Sequence, residues 1–510
     1  MPAEKGSEEQ MAHPHRDSTR FGLTSKPRAP EIQRLSRHIA PLYALGDEIF
    51  EHQLAIHEAH VVMLERQSIL SAADAALILS GISELEKVAV EDRSILNYMT
   101  FESRLIDLVG PIGGAMHTGR SRDDMANCAN RMHYRSRIIA LVQSLNAFRK
   151  VLVGKAGQHL RTVTMAYTHN RQAQPVTLAH VLMGQAESLG QHIERYFCAY
   201  ERINLNPLGS AASAGTIWPL DRDLTTSLLG FDGLVINTLE GVAGWDHIAE
   251  FSSANSILMA SLARLANELT FWQSDEFALI DIDAGYTGNS SLMPHKKNPN
   301  ILEFIRSFSA KVLGDHMSLM SSLTLSPYQH ISTRHVVRDD AIDGVIASVD
   351  AMAGMISTLT PNVDRMLQNS HEGFGMMTSL ADYLSRTFGL PFRISHEVVA
   401  TLVVDAVSSG RDQRGIDAAM VRHTALDVAG CDLEISDDAV REILDSGAAV
   451  DALTGVGAPG PQAVMRHIDL VKAQLTDCDR RIAALAEGLQ LAAERRLDQV
   501  ALLRPSMSKS

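Results

Sequence analysis

With 510 residues, 45% of them hydrophobic and 21% charged, the chain has the make-up of a folded protein of about three domains and not of a disordered or low-complexity polymer. Aromatic residues make up only 5%, which disfavours an all-β architecture and favours helices packed by aliphatic side chains. The formal charge of -14, from 46 basic and 60 acidic residues, argues against nucleic acid as a partner, although one pocket can still focus positive potential.

Residues 1–30 are polar, carry Pro2, Pro14, Pro27 and Pro30, and read as a mobile arm. No apolar h-region marks a secretory signal, and Cys128, Cys198, Cys431 and Cys478 lie far apart, so a cytoplasmic location is expected and neither disulfides nor a metal site. No run of about 18 uncharged apolar residues suggests a membrane span. Residues 31–120 have helical apolar spacing and read as an N-terminal helical domain. Between 121 and 370, five stripes step by three and four: Leu141 to Leu152, Leu178 to Ile193, Leu258 to Trp272, Ile301 to Val312 and Val345 to Leu359. Such steps keep apolar side chains on one face, which predicts long amphipathic helices packed as a central bundle. Frequent turn residues after Ser370 suggest a small helical domain over 371–490, followed by a tail over 491–510. The expected fold class is therefore all-α, with three helical domains around a long central bundle.

Two motifs mislead. Gly455, Gly457 and Gly460 spell GxGxxG, but no strand precedes them and Pro459 sits inside, so a turn between helices is expected and not a dinucleotide site. His57, Glu58 and His60 have HExH and not HExxH spacing, which reads as a solvated helix face. Cys128 reads as a buried thiol. The unusual stretch is Gly285 to Pro299, GYTGNSSLMPHKKNP, a small-residue loop that crowds hydroxyls, ammoniums and a carboxamide ahead of a helix. A linker has no need of that chemistry, whereas backbone N–H groups near a helix start can receive an anion.

The run SSLMPHKKNP resembles the signature loop of the aspartase/fumarase superfamily, and the surrounding chain is most similar to argininosuccinate lyase, with features of ethylenediamine-disuccinate lyase. HTGRSRDD (His117 to Asp124), YTHNRQAQP (Tyr167 to Pro175), NPLGSAASAGTIWPLDRD (Asn206 to Asp223) and DYLSRTFGLPFRISHEVV (Asp382 to Val399) extend the resemblance over most of the chain. It implies a homotetramer in which three subunits build each active site, no cofactor or metal, and reversible elimination of fumarate from an N-substituted aspartate. By resemblance Ser290 is the base, with Lys296 stabilising its anion. Lys296 and Asn298 hold the carboxylate that gains charge. His169, paired with Glu303, moves a proton near the departing nitrogen. Ser121, Arg122, Asp123, Thr168, Ser291 and Tyr328 complete the substrate-binding set. Arg122, Lys296 and Lys297 are expected to concentrate positive potential on the dianion.

The departures fall mainly on the amine side. Asp123 replaces an Asn and places a like charge beside the expected carboxylate site unless it is paired with a cation or protonated. Asn170, Arg171, Trp245, Asn289 and Asn300 also depart, and the residues after Tyr328 do not reproduce the segment that holds arginine. The expected reaction is thus the family's carbon–nitrogen cleavage on an amine other than arginine. Argininosuccinate itself and a catalytically silent structural paralogue are the alternatives.

Overall fold

The computed structural model describes residues 47–331 and 340–504, together with Glu31. The arm expected over 1–30 lies outside the described residues. Helices α1 (Asp47–Arg66), α2 (Ala72–Val88) and α3 (Tyr98–Val109) form the N-terminal region. Ser71 and Asn97 cap α2 and α3 by accepting from backbone N–H groups of the first turn. The apolar faces of α1 to α3 meet around Ile56, Leu64, Ile78, Phe101 and Leu105. His57 and His60 lie inside this core and not on a solvated face as the HExH reading expected. His57 stacks on Phe101, and His60 Nε2 meets the Thr118 carbonyl at 2.9 Å. Burial holds both imidazoles neutral.

The bundle is built from α4 (Arg122–Gln158), α5 (Leu178–Ile203), α6 (Asp246–Trp272), α7 (Asn300–Thr324) and α8 (Asp340–Thr358). Leu141, Leu145, Phe148, Leu152, Leu258, Val345, Val349 and Met352 are fully buried in its core, so the five predicted stripes do face one another. Each such side chain contributes about 2 kcal/mol by leaving water. Helix propensity alone adds far less, so the stripes hold the bundle. On composition alone α8 is long and apolar enough to cross a membrane over Ala341–Thr358, but its Val345, Val349 and Ile356 are spent on this core.

Between α4 and α5 the chain forms an antiparallel hairpin, β1 (Val163–Thr168) and β2 (Arg171–Thr177), which the helical spacing did not foreshadow. His169 and Asn170 form its two-residue turn, with φ of 53° and 57°, the left-handed pair that matches strand twist. Gln172 Nε2 donates to the backbone and side chain of Asn369, and Asn369 Nδ2 donates to the Tyr167 hydroxyl, which fixes the hairpin against α9 (Val363–Glu372). A Cβ at Gly373 would stand 2.1 Å from Gln172 Oε1, so a larger residue there would displace the Gln172 amide from its bonds to Asn369.

A third core joins α10 (Met377–Phe388), α11 (Phe392–Ser408) and α12 (Ala418–Ala429) through Leu380, Leu402 and Val421. It runs from Met376 to Leu444. The last helix, α13 (Pro461–Leu503), corrects the division expected at 490. Its Val464, Ile468, Val471 and Leu475 pack into the bundle, and Val500 packs into the N-terminal core. Arg496 Nε reaches Glu58 at 3.0 Å. The three-and-four spacing continues through residue 490 across Gly488 and no proline interrupts it before Pro505, so residues 491–503 continue the helix. The GxGxxG glycines form the turn before it, and Gly460 is its N-cap.

Candidate active site

The predicted site residues fall into three groups. The first is the start of α4. Ser121 accepts from Asp123 N–H, and Asp124 Oδ1 accepts from Ser121 N–H at 3.0 Å, a reciprocal capping box. Asp124 Oδ2 accepts from Gly209 and Ala211 N–H at 3.1 and 2.8 Å, which ties the helix start to a turn where Gly209, Ala211, Ser213 and Gly215 all have positive φ. Burial pushes the Asp124 carboxyl up to about 6 despite these donors. Arg122, the first helical residue, is exposed. Asp123 meets His330 Nε2 at 3.4 Å, and the Tyr328 hydroxyl donates to the Glu240 carboxylate. Neither Asp124 nor His330 nor Glu240 was among the site residues expected from the sequence. Asp124 had a signal in the Ser-x-x-Asp capping pattern, while the other two had none.

Thr168 and His169 form the second group, exposed at the hairpin tip. The third is the signature loop. The two-residue strands Gly288–Asn289 and Lys297–Asn298 pair antiparallel and close its base, so Lys296 and Asn298 come back beside Ser290. The Ser290 hydroxyl oxygen accepts from Met293 N–H at 3.0 Å and Leu292 N–H at 3.3 Å. Amide donors aimed at an oxygen favour its anion, so the loop supplies part of the stabilisation a serine base needs. Ser291 and Lys296 are exposed and Asn298 is half-buried. Lys297 Nζ donates to Asp281 Oδ1 at 2.7 Å, so a carboxylate meets its charge within the chain. Glu303 stands exposed on the first turn of α7.

The expected His169–Glu303 pair is not made within one chain, since no hydrogen bond or ion pair joins the two among the described residues. Two other sequence readings have clear outcomes. Trp245 is buried, with its indole N–H donating to the Val242 carbonyl at 3.2 Å, so it packs the bundle. Cys128 is buried and its thiol pushed far up by desolvation, which makes it inert.

The family model described as "Lyase" matches residues 33–314, and the one described as "Argininosuccinate lyase C-terminal" matches 374–451. The chain is 36% identical over 429 residues to argininosuccinate lyase of Methanococcoides burtonii, covering 82% of this chain and 86% of that one. To the same enzyme of Methanosarcina acetivorans it is 34% identical over 461 residues, covering 89% and 93%. Among solved structures it is similar to EDDS lyase in complex with formate, with a TM-score of 0.87 and 38% identity over 96% of this chain and 98% of that one. A class II fumarase from Schistosoma mansoni, 16% identical with a TM-score of 0.66 over 80% of this chain and 90% of that one, shares the fold. The signature loop, the capped start of α4 and these matches converge: the chain belongs to the argininosuccinate lyase family of the aspartase/fumarase superfamily and is a carbon–nitrogen lyase.

Proposed function

We propose that this lyase eliminates fumarate from an N-substituted aspartate whose amine is not arginine, such as an aminopolycarboxylate of the ethylenediamine-disuccinate type. Ser290 takes the proton from the carbon beside a carboxylate, and the electron pair moves into that carboxylate to form an aci-carboxylate dianion. Collapse of the dianion breaks the C–N bond, the bonding pair leaves with the nitrogen, and His169 supplies its proton. Lys296 and Asn298 carry the growing charge, while Ser121 and Arg122 anchor the succinyl end. The observation that carries the serine-base step is the pair of amides donating to Ser290 Oγ at the base of the loop. A second reading, argininosuccinate as substrate, is favoured by the names of the curated relatives.

Fumarate absorbs in the ultraviolet, so its release from argininosuccinate or ethylenediamine-disuccinate measures turnover directly. Amines are then added to fumarate and the products read by mass. A strong preference for arginine would select the second reading, and no fumarate from any N-substituted aspartate would leave a silent paralogue.

The oligomer is part of the proposal. The three groups occupy different elements of one chain, and a homotetramer would bring one group from each of three subunits together. Helix α7 presents Phe304, Leu313, Met317 and Met320 to solvent on the chain alone, at 65, 53, 58 and 40% exposure, an apolar stripe that calls for a partner. Met317→Glu should shift the sedimentation of the protein to smaller species and abolish turnover together. A Met317→Glu protein that stays fully active as a monomer would show that one chain suffices.

A further inference from the structure

The signature-loop reading leaves Asp123 unexplained. The start of α4 is to receive a succinyl carboxylate through Ser121 and Arg122, yet the next residue is itself an anion. A bare carboxylate there would oppose the substrate and cancel part of the attraction of Arg122. The structure shows what meets it. His330 Nε2 lies 3.4 Å from Asp123 Oδ1, and both side chains are about one quarter exposed, at 24% each.

The segment that leads to His330 is anchored at its neighbouring residues. Two residues earlier, the Tyr328 hydroxyl donates to Glu240, which begins the short helix Glu240–Ala243. That helix is fastened to α4 by Asn127, whose Nδ2 donates to the Gly241 carbonyl at 2.7 Å. Ser326 Oγ donates to the Ser322 carbonyl at the end of α7, and Gln329 N–H donates to the Pro327 carbonyl. Asp123, Asn127 and Arg131 follow one another at four-residue steps on α4, so they share one face. Along it they meet His330, Gly241 and, through Arg131 and His247 Nδ1 at 3.2 Å, the start of α6. The residues just before His330 are thus tied to the end of α7 and, through Glu240, to α4.

We propose that His330 is a positioning residue of the succinyl site: it holds the Asp123 carboxylate as an ion pair and keeps that charge from opposing the carboxylate received by Ser121 and Arg122. This rests on the assignment of Arg122 as the succinyl anchor. It accounts for an acidic residue where the family pattern has a neutral one, and it makes Asp123 and His330 a matched pair in which neither is tolerated well without the other.

The test uses binding as well as turnover. Succinate is a dicarboxylate that cannot eliminate an amine, and titration calorimetry reads its affinity for the full-length protein without chemistry. His330→Ala should weaken succinate binding about tenfold and raise KM in the elimination more than it lowers kcat. Adding Asp123→Asn to His330→Ala should recover most of that affinity, a rescue that a merely structural histidine would not show. His330→Gln, which retains a donor but no charge, should lie between the wild type and His330→Ala, and it serves if His330→Ala fails to fold. Unchanged affinity in His330→Ala, or a loss that Asp123→Asn does not repair, would overturn the pair. Unchanged succinate affinity in Arg122→Ala, or no binding of succinate by the wild type, would instead remove the anchor assignment on which the proposal rests.

Discussion

Ser290→Ala should reduce fumarate release by about a hundredfold or more, the scale expected when a group acting in the transition state is lost. The hydroxyl contributes little to folding, since it sits in a loop and its oxygen only gathers two amide donors from Leu292 and Met293. Those amides have other acceptors available in water, so the melting temperature and the sedimentation should not change. The loss should appear in kcat with KM nearly constant, because the interaction is made with a proton in flight and not with bound substrate. Near-normal kcat in Ser290→Ala would remove the serine from its role as base and turn attention to Lys296 or His169.

Asp124→Ala is expected to act through the opposite link, stability first and activity in consequence. One carboxylate accepts from Ser121, Gly209 and Ala211 N–H in a site closed to water. Alanine would leave those donors without their acceptor and uncap a 37-residue helix, for a loss of about 3 kcal/mol or more in urea unfolding. The turn at 209–215 would lose its tether to the start of α4, so Ser121 and Arg122 would lose their geometry too. The pH dependence has a definite sign. Burial raises the Asp124 carboxyl to about 6, above its unfolded value near 4, so the folded state holds this proton more tightly. Its contribution is full below about pH 4 and is lost as pH rises through about 6. That descending step should be present in the wild type and absent from Asp124→Ala.

How much was legible follows from which forces leave a trace in one sequence. The stripes at three- and four-residue spacing were legible because burial of a helix face imposes that period on the chain, and Leu141 to Leu152 behave accordingly. The signature loop was legible through its chemistry, which a connecting segment has no reason to carry. The β1–β2 hairpin was not, since its turn is His169–Asn170 and not one of the Asn-Gly or Asp-Gly pairs that announce such turns. The buried His57 and His60 were misread because an amphipathic pattern cannot tell a polar ring stacked in a core from one in water. The partners His330 for Asp123 and Asp281 for Lys297 are tertiary facts, and no local pattern encodes which charge a distant segment will bring.

The course of α13 has a consequence for synthesis. The helix that completes both the bundle core and the N-terminal core is translated after both of them, and its final turns hold Val500 and Arg496 in place against segments made several hundred residues earlier. Until it emerges, the nascent chain must carry an open apolar furrow where Val464, Ile468, Val471 and Leu475 will lie. A chain that stops near residue 460 would therefore expose its core, a species destined for chaperones or aggregation.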